Sequence, residues 1–513
     1  MAKLGIDFGT TNSIFVAYDK KTNQFTYFNF SGDRPEPISS TVWYHDNLIE
    51  VGKVARENIN TFAGVDGHHF EKSIKSKLIH EYGVNVFGNI VQPYMIVAEI
   101  LRHVKRIAVD DWAAVQAGVD INKAIFTVPI NFNGIQRNAL RNAAREVGIE
   151  VITFIHEPFA AIVGYYFTKG IATTTGEIIS EIHKLNGKFL LTFDWGGGTL
   201  DITVIKVENG KMIEVGTSEL TGKAGDKFDE DIANWAWVKF LNKYGTKYNS
   251  AVLEQIRKDK WDAMLARAER CKILLSTNES TNFLVSNIVD NLHISEQITR
   301  KDFRHLIEDT LIEAVNEIDK AIKEAQLGDV NIDHVLLTGG TCYIPVVQEK
   351  IIEKFGHRVS SVRDAELLIA QGAAVIAEMG WLPFLTKDIS LQLSDDSLYP
   401  IFENGTNIAV EANAMKSEDL VCTDNRGGDA KIIIVEGNGQ RKDRNLAILK
   451  VPVLNHSRFN DDIKLDAVID QDIILKISAR SLHVQGFRRP DDEYSIVKSV
   501  EVHQLSFGLD FIK

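Results

Sequence analysis

Hydrophobic and polar residues follow two different patterns along this chain of 513 residues. Up to about residue 380, short β-branched runs such as IFTV (125–128) and FLLTFD (189–194) alternate with amphipathic stretches of helical periodicity, clearest at 136–148 and 304–326. This alternation predicts an α/β architecture. After about residue 388, short strands of alternating pattern follow one another between turn residues, which predicts an antiparallel β-sandwich.

The stretch between the two patterns, GWLPFLTKDIS (380–390), is too apolar for a solvated spacer. Pro383 cannot continue a helix, so the segment is either a linker that docks or a helix tail packed on its own domain. Because the length exceeds what one hydrophobic core usually holds, we predict separate domains. The predicted boundaries are 1–380 for the α/β domain, 381–389 for the linker and 390–513 for the sandwich.

Composition restricts the partners and the compartment. The chain is 44% hydrophobic and 25% charged, as in an ordinary globular protein, and its net charge of -13 would repel nucleic acid and anionic lipid. Its three cysteines are far apart and lack metal-ligand spacing. The start has no signal-like segment, and no long apolar run follows. We therefore predict a cytoplasmic protein that binds neither nucleic acid nor membrane.

Two segments share one order of features. KLGIDFGTTNSIFVAYD (3–19) and KFLLTFDWGGGTLDITVI (188–205) each place an acid, a glycine turn and threonines between two apolar strands. Backbone N–H groups in such a turn can surround phosphate oxygens, because glycine leaves the approach open. One such hairpin is weak support for phosphate binding, since it could be a plain structural turn. Two copies predict two clamps that close on one nucleotide.

The acids of these turns would repel phosphate unless a divalent cation lay between them. Mg²⁺ accepts one or two carboxylates while it keeps several waters. Asp7, Asp194 and Asp201 are therefore predicted to contact magnesium directly or through water. The turns also supply hydroxyl groups, from Thr10, Thr11 and Thr199.

A third glycine turn, LLTGGTCYIP (336–345), ends a strand and opens a helix, which suits close approach by a sugar or a base. Six stretches now carry a resemblance: GIDFGTTNS, FTVPINFNGIQRNAL, IHEPFAAIVGY, FDWGGGTLDI, RAERCKILLS and LLTGGTCYIP. In order and spacing the chain resembles the seventy-kilodalton heat-shock chaperones, the DnaK-like family. The resemblance implies a two-lobed, actin-like ATPase domain followed by a peptide-binding β-sandwich.

The resemblance implies a catalytic set of Lys75, Glu157, Asp194 and Thr199. Lys75 would reach the γ-phosphate and orient the attacking water, since phosphoryl transfer depends mostly on positioning and charge neutralisation. Lys72 and Lys77 are alternatives one helical turn away, and Lys75 could also be a solvated helix lysine. Glu157 would help to hold the metal and its water shell, or it is simply an acid favoured by a helix N-terminus.

The implied ligands are ATP and ADP with Mg²⁺, and K⁺ is a further candidate ion. Two of the implied contacts depart from the family, because Ile273 and Tyr343 stand where arginines commonly flank the adenine. Apolar and aromatic contact can replace guanidinium stacking. The full implied nucleotide set is Gly9, Thr10, Thr11, Asn12, Gly196, Gly197, Gly198, Thr199, Gly225, Glu269, Lys272, Ile273, Ser276, Gly339, Gly340, Thr341, Tyr343 and Glu366.

Partners follow from the same resemblance. Extended, unfolded peptides would be the clients, and a nucleotide exchange factor is a candidate partner. Thr153 stands where members stimulated by J-domain co-chaperones often have arginine, which puts dependence on such a partner in question. Pro129 and Arg137 match the residues that relay nucleotide state to the linker. The chain ends at Lys513 without the family's helical lid, naturally or by truncation.

The predicted function is therefore an ATP-hydrolysing chaperone in which the nucleotide state controls peptide binding. An actin-fold kinase of sugars or acids is one alternative, but it would not need a sandwich after an apolar linker. A binding protein that holds nucleotide as a static ligand, with little turnover, is another.

Overall fold

The structure is a computed structural model, and it describes residues 2–28, 37–80, 82–110, 118–168, 175–360, 365, 367–423, 428–437, 443–453, 461–484, 487–488 and 497–511. Two compact units divide the chain. The first unit comprises Met1–Pro129, Asn142–Val151 and His156–Met379. The second unit comprises Ile130–Arg141, Ile152–Ile155 and Gly380–Lys513.

Strands and helices alternate up to residue 379, as the sequence pattern predicts. The strands are β1 (Ala2–Phe8), β2 (Asn12–Asp19), β3 (Gln24–Tyr27), β4 (Ile38–Ser39), β5 (Val42–His45), β6 (Leu48–Val51), β7 (His68–Glu71), β8 (Val84–Val86), β9 (Asn89–Val91), β10 (Val119–Val128), β11 (Glu150–His156), β12 (Phe189–Trp195), β13 (Thr199–Glu208), β14 (Lys211–Thr221), β15 (Ser280–Val289), β16 (Leu292–Thr299), β17 (Ile332–Thr338) and β18 (Val359–Ser360).

The α-helices are α1 (Lys53–Phe62), α2 (Ile74–Lys77), α3 (Pro93–Asp110), α4 (Gly134–Glu146), α5 (Glu157–Thr168), α6 (Thr175–Lys184), α7 (Gly225–Tyr244), α8 (Ser250–Thr277), α9 (Arg300–Glu324), α10 (Pro345–Phe355) and α11 (Leu368–Met379). A capping box starts α9, because the Thr299 hydroxyl accepts from the Asp302 N–H at 3.1 Å and the Asp302 carboxylate accepts from the Thr299 N–H at 3.0 Å. Short 3-10 turns, one of them at Gly340–Tyr343, connect other elements.

Two sheets of the first unit repeat one arrangement. In one sheet β1 lies between β10, which is parallel to it, and β2, which is antiparallel. In the other sheet β12 lies between the parallel β17 and the antiparallel β13. Each glycine turn thus joins a central strand to its antiparallel neighbour. A buried core that includes Trp195, Phe228 and Phe303 supports the second sheet.

The second unit is built mainly of short strands: β19 (Leu382–Leu385), β20 (Ile389–Gln392), β21 (Leu398–Phe402), β22 (Lys416–Cys422), β23 (Gly428–Glu436), β24 (Arg444–Val453), β25 (Asp461–Ile469), β26 (Leu475–Ser481), β27 (His483–Val484), β28 (Phe487–Arg488), β29 (Lys498–Val502) and β30 (Phe507–Asp510). Its two four-stranded sheets have the orders β21-β20-β23-β24 and β22-β25-β26-β29. The alternating burial along β25 directs Leu465, Ala467 and Ile469 into their common core.

Within the second unit, β19 of the apolar stretch pairs with β30. The turn between β25 and β26 receives several hydrogen bonds from residues 130–141. Arg137 Nε donates to Asp472 O at 2.7 Å, and Arg141 Nε donates to the Asp472 carboxylate at 2.6 Å. The next residue, Ile473, has a left-handed φ of 58°, which is strained for a β-branched side chain. Arg137 also donates to the Ile473 carbonyl, at 3.2 Å, and helps to hold this turn.

In the described part of the chain, no helix has the length and apolar character needed to cross a membrane.

Candidate nucleotide site

The first glycine turn joins β1 to β2, and Ser40 holds it in place. Ser40 donates its backbone N–H to Thr11 O at 2.8 Å and its hydroxyl to Gly9 O at 2.9 Å. A side chain at Gly9 would overlap the carbonyl oxygen of Asn12, so this tight turn accepts only glycine. Thr10 and Thr11 therefore have fixed positions at the end of the β1–β2 pair.

The second glycine turn joins β12 to β13. Its carbonyl oxygens at 196–198 accept backbone hydrogen bonds from the segment 222–226, and the Gly196 N–H donates to Thr199 O at 3.0 Å. A side chain at Gly197 would overlap the hydroxyl of Thr11. The two turns therefore meet, as two clamps on one ligand require.

Four carboxylates and one lysine gather next to the turns. Lys75 Nζ lies 2.8 Å from Glu157 Oε1, and each of these two residues is only 7% exposed. Asp7 lies on β1, and Asp194 and Asp201 are opposite each other on β12 and β13. The structure thus brings together the predicted metal residues and the predicted catalytic lysine.

Burial, and after it this excess of negative charge, raises the pKa values of the three aspartates. Desolvation and the charge of Glu157 raise the pKa of the half-buried Asp7 to about 7. The same two causes raise the pKa of Asp201 to about 7. Desolvation, Glu157 and Asp201 raise the pKa of Asp194 well above its ordinary value. For Lys75, burial lowers the pKa, but Glu157 and Asp7 outweigh it and raise the pKa overall.

Hydroxyl groups support two of these carboxylates. The Thr127 hydroxyl donates to Asp7 Oδ1 at 3.2 Å, and the Thr199 hydroxyl donates to Asp201 Oδ2 at 2.8 Å. Thr199 is thus placed beside a carboxylate, within the second turn.

The carboxylate oxygens beside the turns suit a magnesium ion that keeps most of its water ligands. Among the described residues, no three His, Cys, Asp or Glu side chains converge closely enough to form an all-protein metal site. Mg²⁺ does not need such a site, because one or two carboxylates suffice beside water and substrate phosphate. A cation here would also relieve the repulsion that raises the pKa values of the three aspartates.

The three lysines of KSIKSKL have different surroundings. Lys75 is buried against Glu157, whereas Lys77 forms an ion pair with Glu71. Lys72 is exposed in the wall of a nearby cavity. Of the three, Lys75 is the one that lies among the carboxylates.

A cavity of about 630 Å³ opens from the first turn toward α1, α7 and α8. Four predicted contacts line it: Thr10, Thr11, Glu269 and Ile273. Ile273 is 57% exposed, so its apolar surface is accessible to a ligand. Arg56 of α1 forms an ion pair with Glu269 and also donates to Asn12 Oδ1 at 3.4 Å.

Other predicted adenosine contacts lie around Gly225. A side chain there would come within 2.9 Å of Thr341 Oγ1 and 3.1 Å of Lys272 Nζ. Thr341 donates to Gly196 O at 2.7 Å, which ties the third glycine turn to the second. Ser276 donates to the Lys272 carbonyl at 3.4 Å within α8.

The third glycine turn contains the remaining predicted contacts. Gly339 has a left-handed φ of 81°, and its missing side chain makes room for Asp194 and the Trp195 carbonyl. Gly340 opens the 3-10 turn that ends at Tyr343, which is half-buried and is not part of the cavity wall. Glu366 lies outside the described residues.

Sequence reasoning missed four residues of this site. Arg56 lies 213 positions from Glu269, and Thr127 lies 120 positions from Asp7. No local pattern marks either pairing. Asp226 and Asp229 did have a signal, because GKAGDKFDED places both acids within the first five residues of α7, which begins at Gly225. Both line the cavity.

Comparison with known proteins identifies the family. The model of the Hsp70 protein family matches residues 3–487. Chaperone protein DnaK of Mycoplasma mobile is 27% identical over 497 residues, which cover 93% of this chain and 76% of that protein. Chaperone protein DnaK of Thermus thermophilus is 31% identical over 404 residues, which cover 74% of this chain and 61% of that protein. Chaperone protein DnaK of Thermosipho africanus is 29% identical over 380 residues, which cover 73% of this chain and 58% of that protein.

The fold and the paired turns define an actin-like nucleotide-binding protein with a β-sandwich. The chain belongs to the Hsp70 family, whose model matches nearly its whole length. The family and the fold class predicted from the motifs are thereby confirmed. Membership favours an ATP-dependent molecular chaperone over a small-molecule kinase. The matches span about three fifths of the length of the Thermus and Thermosipho relatives.

Proposed function

We propose that this chain binds ATP at the two glycine turns, hydrolyses it, and uses the nucleotide state to control the binding of extended peptides. One observation carries the proposal: the two turns meet beside a group of four carboxylates and the buried Lys75. Such a group is costly for folding, because buried charges must be paired. A magnesium nucleotide would supply both the cation and the phosphate charge that complete it.

The phosphates would lie against the backbone of residues 9–12 and 196–199. Lys75 would neutralise charge at the γ-phosphate and orient the attacking water, and its contact with Glu157 holds the ammonium group in position. Thr199, in the second turn, would assist the hydrolysis. Asp194, Asp201, Asp7 and Glu157 would hold magnesium directly or through water. When bound, the ion would neutralise the phosphate charge that grows in the transition state.

The adenosine would extend toward α8. Glu269 and Ile273 lie in the cavity wall, and the turn that contains Gly339, Gly340 and Thr341 is bonded to the second clamp. Ile273 would contact the base through apolar surface, and Tyr343 would add stacking. Because ATP and ADP share the adenosine, this part of the site would bind both.

The sandwich would bind unfolded peptide, with exposed Thr423 and half-buried Ala430 as candidates near the channel. A nucleotide exchange factor is a proposed partner. Thr153 presents no guanidinium, which argues against dependence on an ordinary J-domain protein. Cys271, Cys342 and Cys422, all within the described residues, form no disulfide, which is consistent with the proposed reducing cytoplasm.

The test is ATP hydrolysis measured with and without an unfolded apolar peptide, with EDTA as the control for magnesium. We expect slow turnover that requires magnesium and rises with peptide. Phosphate transfer to a metabolite would indicate a kinase instead. Nucleotide that stays bound without turnover, with or without peptide, would contradict the proposal and indicate a static ligand.

A further inference from the structure

A polar cluster of three residues has no role in the proposed nucleotide site. Ser360 of β18 is its centre, with Tyr165 of α5 and His334 of β17 as its two partners. The Tyr165 hydroxyl lies 2.7 Å from Ser360 Oγ, and His334 Nε2 also forms a hydrogen bond with this oxygen. The ring of Tyr165 packs edge-on against the ring of His334, with centroids 5.2 Å apart. All three residues are half-buried.

The cluster forms one chain of hydrogen bonds. Burial lowers the pKa of His334, so its imidazole is neutral at pH 7 and one ring nitrogen can accept. With Nε2 as that acceptor, the Ser360 hydroxyl donates to His334, and the Tyr165 hydroxyl donates to Ser360. Removal of either hydroxyl therefore breaks the same link between α5 and β17.

This link ties α5 to the second sheet, the sheet that contains β12. β17 and β18 are neighbouring strands of that sheet. Elsewhere along its length α5 crosses α11 with direct backbone contact, since side chains at Gly164 and Gly372 would overlap carbonyl oxygens of the opposite helix. α11 in turn packs on β1 of the first sheet, where a side chain at Gly5 would overlap the Ala374 nitrogen. α5 is therefore held between the two sheets.

α5 begins at Glu157, the residue that the proposed hydrolysis uses to hold magnesium and Lys75. Tyr165 follows two turns later, which is about 12 Å along the helix. The charge of Glu157 raises the pKa values of Asp194 and Asp201, so these carboxylates of the second sheet lie close to it. Because a helix of this length moves as one body, the bond at Tyr165 fixes Glu157 relative to the two aspartates.

We propose that the Ser360 hydroxyl pins α5 to the second sheet and thereby positions Glu157 for ATP hydrolysis. Tyr165, Ser360 and His334 are positioning residues, which act through α5. The inference rests on the proposed hydrolysis and adds residues outside the nucleotide site that set its rate. Loss of the pin should slow hydrolysis, which needs Glu157, far more than it weakens nucleotide binding, which depends on the glycine turns.

The test combines single-turnover hydrolysis of ATP with calorimetric binding of ADP, both with magnesium. Tyr165→Phe keeps the ring and removes only the hydroxyl. We expect the hydrolysis rate to fall roughly tenfold, the lower end of what a metal site loses with a supporting residue, while ADP affinity stays within about twofold. Ser360→Ala should have the same effect. The matched control, Tyr248→Phe, removes a hydroxyl bonded to Asp290 at 2.8 Å and should keep the wild-type rate.

Two further variants separate positioning from a general structural role. The double variant of Tyr165→Phe with Ser360→Ala should be no slower than either single variant, because both changes break one chain of bonds. Ser360→Thr keeps the hydroxyl and should restore most of the rate. Wild-type rates in the single variants would overturn the inference, as would a parallel loss of rate and ADP affinity or additive losses in the double variant. Failure of the wild type to hydrolyse ATP would instead refute the proposed function.

Discussion

The two glycine turns look alike in sequence but differ in how the fold supports their acids. Asp7 of the first turn faces Ile14 across the antiparallel pair, whereas Asp194 of the second faces Asp201. Like charges directly opposite each other destabilise a strand pair. The second turn therefore concentrates the charge repulsion that a cation would relieve.

The strands parallel to β1 and β12, which are β10 and β17, show a second difference between the two turns. Each central strand has a threonine beside its aspartate, Thr127 beside Asp7 and Thr338 beside Asp194. Thr127 donates to Asp7, but the buried hydroxyl of Thr338 has no hydrogen-bond partner in the described part of the chain. The first acid is thus supported by its own sheet, and the second depends on what binds there. For the magnesium ion that we propose, this asymmetry favours a position beside the second turn.

Both turns lie beside Lys75, and the loss of this lysine should have the largest effect on ATP turnover. Lys75→Ala should lower ATP turnover roughly a hundredfold or more, because one preorganised electrostatic group is lost from the transition state. ATP affinity, measured by calorimetry, should fall much less. Lys77→Ala is the matched control. Near wild-type turnover in Lys75→Ala would assign the role to another group.

The two turns can be separated through magnesium. Asp194→Asn should raise the magnesium concentration for half-maximal hydrolysis roughly tenfold, in the range seen when metal sites lose a supporting group. Asp7→Asn should raise it less, since Asp7 already has a hydroxyl donor. A titration of turnover against magnesium compares the two variants. An equal rise in the magnesium requirement of both variants would contradict the difference between the two turns. Hydrolysis that continues in the presence of EDTA would contradict it as well.

The two threonines provide an isosteric comparison of stability. At pH 8, Thr127→Val should lower the free energy of unfolding by about 1–2 kcal/mol, because Asp7 loses its hydrogen bond. Thr338→Val should be neutral or stabilising, since it removes a buried hydroxyl that lacks a partner among the described residues. Urea unfolding in the absence of nucleotide and magnesium measures both. A larger loss for Thr338→Val would contradict the assignment.

The smallest expected effect is a dependence on pH. Asp7 and Asp201 have pKa values raised to about 7, while aspartate in an unfolded chain titrates near 4. Between about pH 4 and pH 7 the folded protein holds more protons than the unfolded chain, so these two groups lower stability as pH rises. Above pH 7 the full repulsion is present, and a cation should relieve it.

Magnesium with ADP should therefore raise the melting temperature more at pH 8 than at pH 6. In Asp201→Asn this difference between the two pH values should shrink. The comparison uses thermal unfolding with and without magnesium at constant ADP. A stabilisation that is independent of pH would show that protons and the cation do not compete at these carboxylates.

Local sequence determined the turns and the types of group beside them. The run of apolar residues before each acid predicts a buried strand, and glycine is needed where Gly9 approaches the Asn12 carbonyl and where Gly197 approaches Thr11. The requirement at Gly9 arises within a few residues, so the sequence alone predicted both turns and their acids, whereas Lys75 was predicted only from the family resemblance. The motifs also indicated the family.

Tertiary structure decided which groups meet. The contacts of Arg56 with Glu269, Thr127 with Asp7 and Asp229 with Lys272 join residues that are 213, 120 and 43 positions apart. A hydrogen bond depends on distance and direction, and packing sets both for residues on different elements. The difference between Thr127 and Thr338 has no sequence signal, because it arises only when the strands are assembled.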